Sequence, residues 1–289
     1  MKKISLKSPA KLNLLLKVVN KRLDGYHDLL TVFERIDLCD EIVFAENKSG
    51  AIRLFCSHPD IPKDEKNLII QVAQILKKDF SVPSGVNITL KKKIPVAAGL
   101  GGGSSNAATA LLGLNKLWKL SLKPKKLLEY AKKVGSDVAF FLAEQTWALG
   151  TERGDKIKPL KLRAKLWHIL IVPELKVYSG EVFKALQPPK MNILTKKDDD
   201  VNILTRALRD NDLPRIEGLL SNDLETAIVQ LHPNLVPMRE KIRELTKSRI
   251  IFSGSGPALF GLARSRRDAE NFKFILSKYF KRVFAVRSF

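Results

Sequence analysis

Four glycines fall within the five positions 99–103, and this glycine loop constrains the chain more than any other feature. A glycine lacks a Cβ, so such a loop lets the backbone approach a ligand closely and adopt positive φ angles. β-Branched residues predict a strand at 86–90 before the loop, and apolar spacing predicts a helix that begins at Ser104 or Ser105 after it. Because a helix N-terminus carries unpaired N–H groups and a partial positive charge, this arrangement predicts a cradle for phosphate.

The glycine loop does not match the commoner phosphate-binding and catalytic motifs. No lysine follows the glycines as a P-loop requires, and the Rossmann pattern fails because Ser104 stands at its last glycine. The H-R-D and D-F-G signatures of protein kinases are absent, and no G-x-S-x-G pattern surrounds Ser104, Ser105 or Ser255. A plain strand-to-helix turn is the alternative, but one or two glycines would suffice for it.

Four shorter motifs accompany the loop: S-P-A-K-L-N-L at 8–14, D-G-Y-H at 24–27, G-S-D-V at 135–138 and F-S-G-S-G-P at 252–257. Each motif, when it is taken alone, also fits a purely structural interpretation. Lys11 fits a surface lysine at a strand end, and D-G-Y-H fits a hairpin loop. Asp137 fits a helix N-cap, and the last motif fits a turn.

The net charge is strongly positive, since 51 Lys and Arg against 30 Asp and Glu give 51 − 30 = +21. Such a charge is compatible with a nucleic-acid binder, a membrane-surface protein, an enzyme for anionic substrates or merely a basic solvated surface. The basic runs at 91–93, 123–133 and 264–267 are short, and a single aromatic residue, Tyr130, lies within them, which is little for stacking on bases. The pattern favours the solvated surface, with no nucleic-acid partner expected.

Length and composition indicate a globular protein of two domains. The chain has 289 residues, of which 45% are hydrophobic and 28% charged, and these values exclude wholesale disorder. No run of about 18 apolar residues predicts a membrane span. Cys39 and Cys56 have no cysteine partners for a metal site and do not demand a disulfide, and the N-terminus lacks a signal-peptide pattern. We therefore expect a cytoplasmic protein.

Strands and helices alternate along the chain, which is typical of a mixed fold. Apolar periodicity predicts strands at 12–19, 32–36, 41–45, 86–90, 167–172, 249–252, 258–263 and 283–287. It predicts further helices at 67–77, 123–134, 201–209, 213–220, 234–246 and 267–278. Two prolines and a charged run without apolar period predict a loop at 188–200. Gly150, Gly154 and Pro159 suggest a domain boundary, and we expect domains at 1–160 and 161–289.

Together the motifs resemble the GHMP kinase superfamily in content and in order. The matching segments are P-A-K-L-N-L at 9–14, R-x-D-G-Y-H at 22–27, P-x-x-x-G-L-G-G-G-S-S-N-A-A at 95–108, S-D-V at 136–138 and S-G-S-G at 253–256. The resemblance covers nearly the whole chain, although Ala139 stands where the superfamily usually has proline. It implies an α+β fold with an N-terminal domain like domain 2 of ribosomal protein S5 and a ferredoxin-like C-terminal domain.

The resemblance implies an ATP-dependent kinase whose nucleotide phosphates lie on the glycine loop. The nucleotide-binding residues carried over from the superfamily are Asn67, Pro95, Val96, Ala97, Ala98, Gly99, Leu100, Gly101, Gly102, Gly103, Ser104, Ser105 and Asn106. Mg²⁺ is expected to arrive with ATP, with Ser105 near it and its ligands unassigned. Phosphoryl transfer depends mostly on positioning and charge neutralisation, so few reactive groups are needed.

The resemblance also assigns the catalytic and acceptor-binding residues. Asp137 would accept or orient the proton of the attacking hydroxyl, and Lys11 would lie beside it and stabilise the transferring phosphoryl group. Tyr26 and His27 would recognise the cytosine of a small cytidine diphosphate substrate.

Asn13 and Ser179 are weaker candidates for substrate contacts. The rivals are a GHMP kinase for homoserine or mevalonate, which the D-G-Y-H motif disfavours, and an RNA-binding protein with an S5-like fold. No membrane partner is expected, and the sequence leaves monomer and homodimer open.

Overall fold

The computed structural model describes residues 2–143, 145–186 and 194–289. The chain divides into two compact units. The first comprises Met1–Ala10, Leu38–Val96 and Gly101–Glu144, and the second comprises Lys11–Asp37, Ala97–Leu100 and Gln145–Phe289. The sequence-based domains 1–160 and 161–289 stay a prediction.

The described residues contain strands and helices in mixed order. The strands are β1 (Lys3–Lys21), β2 (His27–Asn47), β3 (Ile52–Phe55), β4 (Gly85–Lys91), β5 (Trp147–Thr151), β6 (Lys156–Leu160), β7 (Trp167–Ile171), β8 (Ser221–Asn222), β9 (Ile251–Phe252), β10 (Leu259–Ala263) and β11 (Val283–Arg287). The helices are α1 (Leu68–Asp79), α2 (Gly102–Leu117), α3 (Pro124–Val134), α4 (Val138–Leu142), α5 (Ser179–Ala185), α6 (Leu194–Asp210), α7 (Leu213–Leu219), α8 (Glu225–Leu231), α9 (Leu235–Thr246) and α10 (Arg266–Leu276). None of the described helices is long and apolar enough to cross a membrane.

In the first unit, helices α1 to α4 accompany a small sheet. Strand β4 pairs antiparallel with residues 41–47 of β2 and parallel with β3. Helix α1 packs against α2, and α1 buries Ile69, Val72 and Leu76 on one stripe. In α2, a Cβ at Gly113 would lie 2.5 Å from the Phe44 ring, so the glycine lets the helix approach β2 closely.

In the second unit, an antiparallel sheet has the strand order β11-β7-β10-β9. Strand β7 lies between two partners, since Ile169 faces Ala285 on β11 and Gly261 on β10. Helix α10 packs on this sheet. The core beneath it includes Ile169, Phe252 and Leu276, which are completely shielded from solvent. Elsewhere in this unit, residues 31–34 of β2 pair with β5, β5 pairs with β6, and residues 15–16 of β1 pair with β8.

Most predicted elements are confirmed, and three need correction. The segments 32–36 and 41–45 belong to one strand, β2. Helix α2 begins at Gly102 rather than at Ser104 or Ser105, because its N-cap is Gly101.

The predicted loop at 188–200 is wrong for residues 194–200, which begin α6, whereas 188–193 lie outside the described residues. Helix α6 buries Val201, Leu204 and Leu208 on one face. A stripe that starts at Val201 gives no signal for the polar turns that precede it.

Candidate active site

The glycine loop ends in a helix start that no side chain caps. Gly101 is the N-cap of α2 in the left-handed region, with φ +68° and ψ 16°, and no side chain makes a capping hydrogen bond there. The first N–H groups of a helix have no partner within the helix. The start of α2 therefore offers N–H donors and a partial positive charge, and the predicted binding of phosphate there stays a prediction.

The four glycine positions of the loop differ in how much room they leave for a side chain and in their backbone conformation. A Cβ at Gly99 would lie 2.1 Å from the Ser253 carbonyl oxygen, and Gly99 also has φ +74°. A Cβ at Gly102 would lie 3.0 Å from Lys92 Nζ, whereas a Cβ at Gly103 would meet no atom within 4 Å. Gly99, Gly101 and Gly102 are thus needed for backbone shape or close packing, and Gly103 borders open space.

Ser105 and Asn106 direct their side chains inward. Ser105 Oγ and Ser8 Oγ lie 2.8 Å apart, with Ser105 fully buried. Asn106 Nδ2 donates to Ser8 Oγ at 2.8 Å and to Asp40 Oδ2 at 2.8 Å. These two residues hold the helix start through buried polar contacts, and their predicted contact with nucleotide stays a prediction. Sequence reasoning assigned no role to Ser8 or Asp40.

Ala97, Ala98 and Asn67 are anchored by backbone and capping contacts. Ala97 has φ +52°, and its carbonyl accepts from Val177 N at 3.4 Å. The Ala98 carbonyl accepts from Ala258 N at 3.2 Å. Asn67 caps α1, since its Oδ1 accepts from Ile69 N at 2.9 Å. The predicted proximity of Asn67 to adenine stays a prediction.

Lys11 is a buried cation, so its interpretation as a surface lysine is wrong. It is 4% exposed, and its Nζ donates to Asn13 Oδ1 and lies 5.5 Å from the centroid of the Phe33 ring. Asn13 Nδ2 in turn donates to Thr31 Oγ1 at 2.8 Å. These contacts fix both the ammonium and the amide within β1.

The second glycine loop, residues 253–256, packs around the same lysine. A Cβ at Gly254 would lie 3.0 Å from Lys11 Nζ and 3.2 Å from the Gly99 carbonyl oxygen. Ser253 Oγ donates to the Gly99 carbonyl at 3.2 Å, and Ser255 Oγ lies 2.8 Å from Ser179 Oγ. The loop therefore does more than reverse the chain, because it joins Lys11, Gly99 and Ser179.

Asn222 supports the second glycine loop and was missed in the sequence. Its Nδ2 donates to the carbonyls of Phe252 at 2.9 Å and Gly254 at 2.7 Å. Its Oδ1 accepts from Leu224 N at 3.0 Å. An isolated asparagine in a two-residue strand gives no pattern from which this contact could be predicted.

Asp137 occupies the N-cap position of α4 without acting as a cap. Its backbone is helical, with φ −72° and ψ −12°, and its side chain makes no capping hydrogen bond. The residue is half-buried. The predicted pairing of Asp137 with Lys11 stays a prediction.

The D-G-Y-H turn, residues 24–27, is organised by local charges. Tyr26 N donates to Asp24 Oδ1 at 3.1 Å, and this hydrogen bond lowers the pKa of the Asp24 carboxyl. Arg22 pairs with Asp24 at 3.2 Å and with Asp28 at 2.9 Å, and its hydrogen bond to Asp28 raises its pKa. Tyr26 stays 58% exposed.

The two ring side chains of this turn have different surroundings. The Arg153 guanidinium carbon lies 5.1 Å from the centroid of the Tyr26 ring. His27 is buried and stacks on Phe183, with ring centroids 5.4 Å apart and an interplanar angle of 25°. Burial lowers the pKa of His27, and the charge of Lys21 lowers it further. The imidazole is therefore neutral at pH 7, with one donor and one acceptor.

The described residues hold no cluster of three or more His, Cys, Asp or Glu that could ligate a metal. Mg²⁺ characteristically takes oxygens from substrate phosphates and water, with one or two carboxylates. The side chains present are thus compatible with a cation that is carried by a nucleotide.

Comparisons with known proteins identify the family of the chain. Residues 67–145 match the GHMP kinases N terminal domain, and residues 204–282 match the GHMP kinases C terminal domain. The 4-diphosphocytidyl-2-C-methyl-D-erythritol kinase of Bacillus velezensis is 37% identical over 281 residues, which cover 97% of this chain and 95% of the relative. The Geobacillus kaustophilus enzyme of the same name is 39% identical over 286 residues, covering 99% and 97%.

Solved structures show the same fold. A crystal structure of 4-(cytidine 5'-diphospho)-2C-methyl-D-erythritol kinase has a TM-score of 0.82 and 31% identity, and the match covers 99% of this chain and 100% of that one. Homoserine kinase from Cytophaga hutchinsonii has a TM-score of 0.72 at 20% identity, covering 100% and 95%. The latter likeness shows the fold alone. Together these matches confirm the predicted two-domain α+β fold class.

Proposed function

Because the chain belongs to the 4-diphosphocytidyl-2-C-methyl-D-erythritol kinases of the GHMP kinase family, we propose that it transfers the γ-phosphoryl group of ATP to the 2-hydroxyl of 4-diphosphocytidyl-2-C-methyl-D-erythritol. This reaction belongs to the non-mevalonate route to isoprenoid precursors, and we place the enzyme in the cytoplasm. The observation that carries the proposal is the uncapped start of α2 behind the glycine loop. It provides the anion site that a kinase needs.

ATP binds with its phosphates on the glycine loop in this proposal. The N–H groups at the start of α2 donate to phosphate oxygens, and the positive end of the helix stabilises their charge. Gly103 borders open space, which leaves room for the phosphates. Residues 95–98 and Asn67 form the remainder of the proposed nucleotide site.

Asp137 and Lys11 perform the chemistry. Asp137 accepts or orients the proton of the acceptor hydroxyl, which prepares that oxygen for attack on the γ-phosphorus. Lys11 stabilises the negative charge that spreads over the transferring oxygens. Its buried position strengthens that interaction, because a low-dielectric environment screens charges less than water does.

Mg²⁺ accompanies ATP and neutralises phosphate charge when it is bound. Phosphate oxygens and water would supply most of its ligands, as is usual for Mg²⁺ bound with a nucleotide. We assign no residue of the chain as a direct ligand. Ser105 supports the helix start through Ser8.

The D-G-Y-H turn recognises the cytosine ring. Tyr26 offers an exposed flat face for stacking. His27 is held by Phe183 and offers the donor and acceptor of a neutral imidazole to the polar edge of the base. Asn13 and Ser179 are further candidates for contacts with the acceptor.

A coupled assay of ADP release tests the proposal. Purified enzyme with ATP and Mg²⁺ should release ADP in the presence of the cytidine diphosphate acceptor and show only background release with homoserine or mevalonate. Asp137→Asn is the matched control for contaminating kinases. Equal turnover of homoserine or mevalonate would instead make the chain a kinase of another GHMP branch.

A further inference from the structure

We propose that Asp40 is a positioning residue that holds both flanks of the glycine loop in their nucleotide-binding geometry, acting through Lys92 and Asn106 without touching ATP. This inference rests on the proposed function, since it concerns the same nucleotide site. Asp40 lies on β2, 59 residues before the first glycine of the loop by sequence number (99 − 40). Its carboxylate is fully buried.

The Asp40 carboxylate gathers four hydrogen bonds. Oδ1 accepts from Lys93 N at 2.7 Å and from Ile94 N at 2.8 Å. Oδ2 accepts from Lys92 Nζ at 2.6 Å and from Asn106 Nδ2 at 2.8 Å. Each oxygen thus accepts two hydrogen bonds, which offset the cost of burying the carboxylate.

These donors come from the two sides of the glycine loop. Residues 92–94 lead into it from β4, and Asn106 follows it in α2. One carboxylate therefore fixes the separation of the loop's flanks, which reduces the conformations open to the residues in between. Ser8 adds a second attachment for Asn106 at 2.8 Å.

The ion pair with Lys92 places a cation directly beneath the helix start. The Lys92 side chain is 4% exposed, and a Cβ on Gly102 would lie only 3.0 Å from its Nζ. Burial lowers the pKa of Lys92, and the charge of Asp40 opposes that shift. Without Asp40, an uncompensated ammonium would lie against the positive end of α2, and relieving that repulsion would displace the loop.

Three variants test this account. Asp40→Asn keeps the size of the side chain but turns one acceptor oxygen into a donor that faces other donors. We expect the KM for ATP to rise roughly 10- to 100-fold, as for loss of a charge-assisted hydrogen bond at a buried site, with the KM for the acceptor within about twofold. Lys92→Met should raise the KM for ATP less. The double variant should be less impaired than Asp40→Asn, because it removes the unpaired ammonium.

Asp37→Asn is the matched control. Asp37 lies on the same strand but is exposed, and it accepts from Arg287 N at 3.0 Å and pairs with the Arg287 side chain. It should leave both KM values unchanged. Titration calorimetry with a non-hydrolysable ATP analogue measures nucleotide binding without any acceptor. That readout separates this inference from the choice of acceptor.

The outcomes are distinguishable. A selective loss of nucleotide affinity in folded Asp40→Asn, relieved in the double variant, supports the proposal. An Asp40→Asn enzyme that melts earlier but binds the analogue like wild type would show a purely structural role and overturn it. If Asp40→Asn does not fold, Lys92→Met decides, since unchanged analogue affinity there would equally overturn it.

Discussion

The glycine loop and the D-G-Y-H turn serve the same proposed reaction through opposite designs. In the proposed reaction the glycine loop binds phosphate through backbone N–H groups, and buried polar side chains such as Asp40 and Asn106 hold its flanks. The turn works through side chains, with Tyr26 largely exposed and ion pairs of Arg22 near the surface.

This difference determines how each region tolerates change. Surface ion pairs contribute little stability and weaken with salt. Removal of one partner from a buried carboxylate with four donors, in contrast, strongly lowers the stability of the folded protein. Changes in the loop should therefore act through backbone geometry and affect ATP. Changes in the turn should act through one side chain at a time and affect the acceptor.

The largest expected effect is on kcat, from a substitution at the proposed catalytic carboxylate that leaves both the glycine loop and the D-G-Y-H turn unchanged. Asp137→Asn keeps the shape of the side chain but removes the base, so kcat should fall about 10²- to 10⁴-fold with both KM values little changed. Steady-state kinetics with each substrate varied in turn measures this. If Lys11 and Asp137 act as a unit, adding Lys11→Met should cost little more, and additive losses would show that they act independently.

Gly101→Val should impair the glycine loop and leave the D-G-Y-H turn unaffected. The valine would have to adopt φ near +68°, which is strained for a β-branched residue, and relief of that strain would displace the N–H groups proposed to bind phosphate. We expect ATP affinity to fall by about 100-fold or more, while the acceptor KM changes little. Titration calorimetry with an ATP analogue measures the loss.

A valine elsewhere provides the control for that experiment. Gly218→Val lies in α7, where an added Cβ meets no atom within 4 Å. It should bind the analogue like wild type. Wild-type affinity in a folded Gly101→Val protein would eliminate the cradle.

Tyr26→Ala should impair acceptor binding by the D-G-Y-H turn and leave the glycine loop unaffected. Loss of a stacking aromatic costs about 1–3 kcal/mol, so the acceptor KM should rise roughly 5- to 150-fold, with ATP binding unchanged. Tyr279→Ala is a close control, because each ring lies near a cation, Lys241 for Tyr279 and Arg153 for Tyr26, and Tyr279 is 57% exposed, against 58% for Tyr26. An unchanged acceptor KM with a lowered melting temperature would show that Tyr26 merely packs the turn.

The smallest expected effect sharpens the contrast between the exposed Tyr26 and the buried His27. The pKa of His27 is lowered in the folded protein, so the unfolded chain binds more protons than the folded one at mildly acidic pH. The stability that this group contributes is present above its ordinary pKa of about 6.5 and is lost as pH falls toward its folded value. When the pH is lowered from 7.5 to 5.5, the melting temperature should fall slightly more for wild type than for His27→Gln. Parallel melting curves would contradict this.

The sequence predicted the features that depend on local pattern. The glycine loop, the helix after it and strands such as β11 follow from composition and periodicity, and these are confirmed. The D-G-Y-H turn was visible for the same reason, because its residues are adjacent. The role of each site residue in binding or catalysis is still a prediction.

The features that sequence reasoning missed depend on distant residues. Asp40, Lys92 and Asn106 meet in space but show no spacing rule, and a single aspartate in a strand gives no signal of four buried donors. Phe183 was missed because α5 has only seven residues, too few for a reliable apolar period. The first turns of α6 are rich in charged residues and lack an apolar period, so periodicity alone cannot distinguish them from a loop.

Identification of the reaction product tests the central claim most directly. The enzyme is incubated with ATP, Mg²⁺ and 4-diphosphocytidyl-2-C-methyl-D-erythritol, and the product is examined by mass spectrometry and phosphorus NMR. We predict that the acceptor gains one phosphoryl group. Its phosphorus spectrum should show a new monoester resonance coupled to carbon 2 of the acceptor and should retain the diphosphate resonances. An unmodified acceptor under conditions in which the enzyme binds the ATP analogue, or phosphorylation at another hydroxyl, would contradict the account.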